Sequence, residues 1–256
     1  MASDQISLHR QSSMKYSVVV PVYNEVENLD LLFDRVLSVM DEQEEPYELL
    51  AVDDGSTDGS RQRIKQAGRE QEHVRPVLLD GNHGLSTALK AGFDSAKGTY
   101  VISLDADLQN PPEEIPKLLA HSDDYDLVYG RRQERKDGPI KKLTSTVANA
   151  VRNVITGDDV SDTGCTLKVY RREALQQIPF FKGMHRFLPT LFRYYGFSRK
   201  EVPVRHEERH GGESKYQLLN RAVTLFDLCA CVWMRFRRIR YDLEDDAESN
   251  PDRSGS

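Results

Sequence analysis

The sequence predicts an α/β fold in which a mostly parallel central sheet carries helices on both faces, with a helical extension at the C-terminus. Short β-branched runs alternate with segments of helical periodicity through the first half of the chain, and a polar cluster directly follows three of these runs. The clusters are residues 23–25, 53–56 and 105–109. Because ligands bind beyond the carboxyl ends of parallel strands, we expect all three clusters on one rim of the sheet.

The individual elements follow from the same periodicities. The first strand, 16–22, is short and β-branched, and the helix at 25–40 places Leu29, Phe33 and Val36 on one face. The other elements expected in the first half are strands at 47–52, 74–79, 100–104 and 126–129 and helices at 60–72, 86–96 and 112–120. Beyond about residue 135 the alternation is less regular, and the expected elements are helices at 141–155, 172–178, 185–195 and 217–240 and strands at 164–170 and 200–204.

Composition divides the chain into four parts: a disordered polar leader at 1–14, a main domain at 15–216, an amphipathic helix at 217–241 and an acidic disordered tail at 242–256. The leader lacks the apolar core of a signal peptide. No stretch reaches the roughly 20 apolar residues that a membrane span needs. The apolar stripe of the helix and the arginines at its end suit a membrane surface, and packing on its own domain or on a second subunit is an open alternative.

Charge and cysteine content restrict the classes of partner. The formal net charge of -6 argues against a nucleic-acid binder. The three cysteines, Cys165, Cys229 and Cys231, have the spacing of neither a disulfide framework nor a zinc site, which favours a reducing compartment.

The cluster at 105–109 is the strongest candidate for a chemical centre. Asp105 and Asp107 lie two residues apart at the end of a predicted strand, so both carboxylates can face the same ligand, and Gln109 continues the alternation with a neutral oxygen. Mg²⁺ binds one or two carboxylates together with phosphate oxygens. The sequence therefore predicts a divalent-cation site that also holds a nucleotide diphosphate.

Two other motifs offer competing metal sites. Residues 53–59 resemble a calcium loop, but the twelfth position counted from Asp54 is Lys65 rather than Glu, so a strand-to-helix turn that presents a carboxylate to a nucleoside is the better interpretation. His206 and His210 satisfy the zinc-protease pattern H-E-x-x-H, which requires a helix. Pro203 before the motif and Gly211 after it argue against a helix there.

Taken together, the motifs resemble those of family 2 glycosyltransferases of the GT-A fold, and within them the polyprenyl-phosphate group that includes dolichyl-phosphate mannose synthase and the undecaprenyl-phosphate sugar transferases. The resemblance covers about residues 15–227. The segments that carry it, in the order of the family, are 20–25 (VPVYNE), 53–59 (DDGSTDG), 82–86 (NHGLS), 105–113 (DADLQNPPE), 130–132 (GRR), 162–165 (DTGC) and 209–215 (RHGGESK).

The resemblance implies a role for each matching position. The nucleotide sugar would be bound by Pro21, Tyr23, Glu25, Val52, Asp54, Asp105, Ala106, Asp107, Gln109, Arg209 and Lys215. Within that set, Asp105, Asp107 and Gln109 would hold Mg²⁺ or Mn²⁺, and Arg209 and Lys215 would close on the diphosphate from a loop. Arg132 and Lys141 would receive the acceptor phosphate, so that Asp107, Arg132 and Lys141 form the expected catalytic set.

The implied reaction is metal-dependent, inverting transfer of a sugar from a UDP- or GDP-sugar to undecaprenyl or dolichyl phosphate. A lipid phosphate needs positioning and charge neutralisation rather than a strong base. The alternatives are a saccharide acceptor, which would need a base that no matching position offers, and a non-catalytic sugar-nucleotide-binding protein. We expect a cytoplasmic enzyme at the inner face of the membrane, with a homo-oligomer or a membrane-protein partner as further possibilities.

Overall fold

The computed structural model describes residues 14–133 and 155–207, together with the single residue Val232. Several predictions lie outside these residues. They are the leader up to residue 13, the helix at 141–155 apart from its last residue, the positions Lys141, Arg209 and Lys215, the amphipathic helix at 217–241 apart from Val232, and the tail at 242–256.

A seven-stranded sheet forms the centre of the molecule. Its strands are β1 (Tyr16–Val22), β2 (Tyr47–Asp53), β3 (Val74–Leu78), β4 (Tyr100–Ser103), β5 (Leu127–Arg132), β6 (Lys168–Arg171) and β7 (Arg199–Val204). They lie in the order β3-β2-β1-β4-β6-β5-β7, and β6 is antiparallel to both of its neighbours while every other pair is parallel. The prediction of a mostly parallel sheet is therefore confirmed.

The helices pack on the two faces of this sheet. They are α1 (Val26–Asp41), α2 (Ser60–Glu70), α3 (Leu85–Ser95), α4 (Ile115–Leu119), α5 (Arg172–Gln176) and α6 (Leu188–Tyr194). Alternate residues of β1 enter different cores: Val18 and Val20 pack with α1, whereas Val19 packs with α3. Each large aliphatic or aromatic side chain that is buried in this way contributes roughly 1.5–3 kcal/mol to stability.

Three predicted elements differ most from those observed, and β5 also ends three residues beyond its predicted end at 129. The strand expected at 164–170 is Lys168–Arg171, because residues 162–166 use their polar groups to hold side chains of the candidate site instead of extending the ladder. The helices expected at 112–120 and 185–195 are each divided into a 3-10 turn, Pro112–Glu114 or Met184–Arg186, followed by a short α-helix. A proline near each α-helical start, Pro116 or Pro189, lacks the N–H that would continue the preceding turn.

Among the described helices, none combines the length and the apolar character needed to cross a bilayer.

Candidate active site

The carboxyl ends of β1, β2 and β4 meet on one rim, as the sequence predicts. Val22 at the end of β1 lies opposite Asp53 at the end of β2, and Val19 of β1 lies opposite Ser103 of β4. Backbone hydrogen bonds continue the ladder beyond the strands, from Asp54 N–H to the Val22 carbonyl (2.9 Å) and from Leu104 N–H to the Val19 carbonyl (3.2 Å). The polar clusters that follow these strands therefore lie side by side.

Two carboxylates lie close together immediately after β4. Asp107 is 6% exposed. Burial, and then the negative charge of Asp107, raise the pKa of Asp105 to about 7, while a hydrogen bond from Thr166 and the charge of Lys168 oppose the shift. A pair of carboxylates held together in this way is stabilised by a bound cation. The residues therefore fit a hard divalent ion.

The donor set matches the ligands that Mg²⁺ and Mn²⁺ use with phosphate substrates. No group of three or more His, Cys, Asp and Glu side chains with metal-binding geometry occurs among the described residues. Asp105 and Asp107 would bind the ion together with the Gln109 amide and with oxygens of a substrate diphosphate.

A strained turn sets the position of Gln109. The Asp107 carboxylate accepts a hydrogen bond from Gln109 N–H (3.1 Å), and the fully buried Leu108 between them has a φ of 59°. Leucine rarely adopts this left-handed conformation, and such strain persists where the surroundings determine the backbone path. On the other side, Glu207 N–H donates to the Gln109 carbonyl (2.9 Å), which joins the turn to the segment after β7.

The residues expected to hold the nucleoside occupy two connected loops and the strands beneath them. Asn24 and Glu25 donate their N–H groups to the Ser56 and Ser60 hydroxyls (3.0 Å each), and Thr57 N–H donates to the Asn24 side-chain carbonyl (2.7 Å). These bonds place Tyr23 and Glu25 beside the turn at 54–60. Of the remaining predicted positions, Pro21, Val52 and Ala106 are buried below the rim.

Asp54 holds a third loop in place. Its carboxylate oxygens accept hydrogen bonds from His83 N–H (2.7 Å) and Gly84 N–H (2.9 Å), at the start of α3. The close approach also requires Gly55, where an added Cβ would lie 2.5 Å from the carbonyl carbon of Gly81. Whether Asp54 also contacts a nucleoside stays a prediction, like the other residue roles that the family resemblance implies.

Arg132, at the end of β5, is held by a carboxylate on the opposite loop. Its Nε and Nη2 donate to the two oxygens of Asp162 at 2.7 and 2.8 Å, and its backbone N–H donates to the same group at 3.1 Å. Gly164 lies against the guanidinium, because a Cβ there would be 2.4 Å from Nη2. The pair fixes the guanidinium at the edge of the site, and a bidentate arginine suits phosphate binding.

A cavity of about 450 Å³ brings these groups together. Its lining includes Asp105, Gln109 and Arg132, three of the residues predicted from the sequence. It also includes three basic residues that sequence reasoning missed, Lys168, His185 and Arg186. The cavity therefore connects Asp105 and Gln109 to the arginine expected to bind the acceptor phosphate, whereas Asp107 is not part of its lining.

Lys168 is buried in the wall between the two halves of the site. It lies opposite Ser103 in the β4–β6 ladder and donates a hydrogen bond to the Cys165 carbonyl. Burial lowers the pKa of its ammonium group, and the charges of Asp105 and Asp162 are among the groups that counteract the shift. Its place in an alternating strand, facing the active site instead of solvent, could have been recognised once β6 was paired with β4.

His206 also lies close to the site. It follows β7 in a segment without helical structure, so the described part of H-E-x-x-H does not have the form of a zinc-protease helix. Burial and then the charge of Arg132 lower the pKa of His206, whereas Asp107 and Asp162 raise it. In the sequence, His206 is part of the zinc-protease pattern, and that pattern gives no indication that His206 lies beside Arg132 and Asp107.

Comparison with known proteins agrees with this arrangement. The family model described as Glycosyl transferase family 2 matches residues 17–179, more than half of the chain. The chain belongs to glycosyl transferase family 2. The undecaprenyl-phosphate 4-deoxy-4-formamido-L-arabinose transferase of Proteus mirabilis is 41% identical over 220 residues, which cover 85% of this chain and 68% of that protein. The protein of the same name from Photorhabdus laumondii is 40% identical over 220 residues, which again cover 85% of this chain and 68% of that protein.

The fold of this glycosyltransferase is also found in solved structures. Glucosyl-3-phosphoglycerate synthase from Mycobacterium tuberculosis, solved with Mn²⁺, UDP and glucosyl-3-phosphoglycerate, superposes with a TM-score of 0.66 at 20% identity, covering 87% of this chain and 80% of that one. The predicted family, GT-A fold and enzyme class are confirmed by these matches. The names of the bacterial relatives agree with the predicted reaction class, transfer of a sugar to a polyprenyl phosphate.

Proposed function

We propose that this glycosyltransferase moves a sugar from a UDP-sugar to a polyprenyl phosphate, using Mg²⁺ or Mn²⁺. The observation that carries the proposal is the composition of the 450 Å³ cavity, which is lined by the carboxylate of Asp105, the proposed cation ligand, and by the guanidinium of Arg132, the proposed phosphate-binding group. The names of the bacterial relatives support the acceptor class, and the UDP bound in the mycobacterial structure supports the nucleotide.

The lining of the cavity supports a phosphate acceptor over a saccharide hydroxyl. Asp105 is the only acidic side chain that lines the cavity in the described part of the chain, and it is assigned to the cation. A hydroxyl acceptor would need a second carboxylate or another base to remove its proton. A phosphate is already anionic near neutral pH, so it needs only to be oriented and partly neutralised.

In this mechanism the carboxylate pair and Gln109 bind the donor end, and Arg132 binds the acceptor end. The divalent ion, when bound, supplies positive charge to the leaving nucleotide diphosphate. Asp162 holds the guanidinium of Arg132 at the cavity wall, where its positive charge would orient the acceptor phosphate for attack on the anomeric carbon. The new bond joins that carbon to a phosphate oxygen as the bond to the diphosphate breaks, which inverts the anomeric centre.

The lipid acceptor implies a location at a membrane surface. We propose that the protein works at the cytoplasmic, inner face of the membrane, where nucleotide sugars and the phosphate end of the lipid can both reach the cavity. The amphipathic helix predicted at 217–241 is the candidate for membrane contact, with a second subunit or a membrane protein as the alternative partner. Flotation of the full chain with liposomes that contain anionic lipids, compared with a chain truncated before residue 217, tests the role of this helix.

Radiolabelled transfer tests the reaction itself. Purified protein is incubated with Mn²⁺, undecaprenyl phosphate and labelled UDP-4-deoxy-4-formamido-L-arabinose, UDP-glucose, UDP-N-acetylglucosamine or UDP-glucuronic acid. We expect label in the organic phase with at least one donor, and no transfer after treatment with EDTA. Failure of every donor despite UDP binding would reject the proposal, and label on an added saccharide instead would favour the alternative acceptor.

A further inference from the structure

His185 lines the cavity and lies on the 3-10 turn Met184–Arg186 that precedes α6. It lines the same space as Asp105 but belongs to none of the motifs that relate this chain to its family. A donor sugar is covalently attached to the diphosphate that the Asp105 site would hold. The space next to that site is therefore where the sugar ring has to fit.

One nitrogen of the His185 ring is held by the protein. Nδ1 lies 2.8 Å from the Ser86 hydroxyl oxygen, in the first turn of α3. The same oxygen accepts a hydrogen bond from Gly183 N–H (3.0 Å), two residues before the histidine. These bonds fix the ring from one side and leave Nε2 as its only remaining polar atom.

The other nitrogen, Nε2, is buried and has no hydrogen-bond partner within the described residues. Burial, followed by the nearby charges of Arg186 and Lys168, lowers the pKa of His185 to about 3, so the ring is neutral near pH 7. A neutral ring nitrogen can donate or accept a hydrogen bond, depending on the tautomer. Buried polar atoms are nearly always paired, so an unpaired one in a residue that lines the cavity is a candidate ligand contact.

We propose that His185 is a specificity-determining residue whose Nε2 hydrogen-bonds to a hydroxyl or amide substituent of the donor sugar. The inference rests on the proposed function, because it places a nucleotide sugar in the cavity. The wall around the histidine combines the ring of Tyr170 with the side chains of Leu85 and Leu89. Apolar surface with a few placed polar groups is the usual composition of a small-molecule site.

Two substitutions at this position separate the roles of the two ring nitrogens. In H185N the amide reaches about as far as Nδ1, so contact with Ser86 can be kept while the polar group at the position of Nε2 is lost. In H185Q the longer side chain can return a polar group to the region of Nε2. H121N is the matched control, since His121 follows α4, whose Ile115 and Leu118 belong to a different core cluster from Met184 beside His185.

Calorimetric titration with UDP and with the four UDP-sugars, in Mn²⁺ and without lipid, measures the contribution of the sugar. We expect the native protein to bind at least one UDP-sugar more tightly than UDP. H185N should lower the affinity for that UDP-sugar by about tenfold and leave the affinity for UDP unchanged. A tenfold loss corresponds to one hydrogen bond to a group that is otherwise left unpaired. H185Q should recover part of the loss, and H121N should match the native protein.

Three results would overturn the inference. In the first, the native protein binds no UDP-sugar more tightly than UDP, and in the second, H185N binds the UDP-sugar with native affinity. The third such result is an equal loss of affinity for UDP and for the UDP-sugar in H185N. If H185N does not fold, S86A provides the test. Loss of the Ser86 hydroxyl releases the His185 ring, so the affinity for the UDP-sugar should fall severalfold while the affinity for UDP stays unchanged. Normal UDP binding and lipid transfer in the same samples would leave the proposed function intact when the His185 inference fails. Loss of both in the native protein would reject the proposed function instead.

Discussion

The two halves of the sheet hold their site residues by different means. On the side of β1, β2 and β4, carboxylates accept hydrogen bonds from backbone N–H groups, Asp54 from the loop before α3 and Asp107 from Gln109 in its own turn. On the side of β5, β6 and β7, charged side chains pair with one another, as Arg132 does with Asp162 and Arg199 with Asp158. The carboxylates on the donor side are thus held mainly by backbone N–H groups, and the residues on the acceptor side are held mainly by ion pairs.

The largest effect should come from the carboxylate that follows β4. D107N keeps the shape of the side chain and an oxygen that can accept the Gln109 N–H bond, but it removes the charge that would hold the cation. We expect transfer to fall by about 10³-fold or more, because electrostatic stabilisation of the leaving group is lost. Lipid-linked product is measured with and without Mn²⁺. Activity within tenfold of the native protein would refute the metal role of Asp107.

On the acceptor side, the buried pair of Asp158 and Arg199 should make stability depend on pH. Asp158 is fully buried and accepts hydrogen bonds from Arg199 and Thr190. Burial alone would raise the pKa of Asp158, but the bonds and charge of Arg199 outweigh it and lower the pKa below its ordinary value. A carboxyl group with a depressed folded-state pKa stabilises the fold above its unfolded pKa of about 3.9, and that contribution is lost as pH falls through the folded value.

Urea unfolding of the native protein and D158N measures this contribution. D158N leaves Arg199 without its main buried partner, so we expect a loss on the order of 3 kcal/mol at pH 7. The difference between the two proteins should shrink below about pH 4, as the native carboxyl group becomes protonated. A difference that stays constant from pH 7 to pH 3 would show that charge is not what holds this half together.

The third prediction concerns the carboxylate that positions Arg132. D162N removes one of the oxygens that accept bonds from the guanidinium and from Gly164 N–H. We expect kcat/KM for the lipid phosphate to fall by about 10- to 100-fold, the effect of a misplaced binding group, with UDP affinity unchanged. D124N, an exposed aspartate before β5, is the control. A matching loss of UDP affinity in D162N would show that the two sides are not separable.

The difference between the two halves of the sheet also explains which features could be predicted from the sequence. In the parallel half, strand and helix periodicities placed most boundaries within one or two residues, and the motif loops after β1, β2 and β4 fell on the predicted rim. These periodicities and motifs depend on residues that are close together in the sequence. Lys168 and His185 depend on the pairing of β6 with β4 and on the packing of the Met184–Arg186 turn against Ser86, contacts between residues 65 and 99 positions apart. No local pattern could indicate that these two side chains share a cavity with Asp105.

The smallest effect should follow from changing Asp54. This variant directly tests whether the donor side and the acceptor side of the site are independent. D54N keeps one carbonyl oxygen for His83 or Gly84 but turns an N–H group toward the other backbone donor. Leaving one buried N–H without an acceptor costs about 1–3 kcal/mol, part of which would appear as displacement of the loop at 82–84. We expect donor KM to rise by about tenfold with acceptor KM unchanged, the reverse of D162N. Steady-state kinetics with donor and acceptor varied in turn would separate the two variants. If both raised the same KM, the backbone-held and charge-held sides would be parts of a single binding unit.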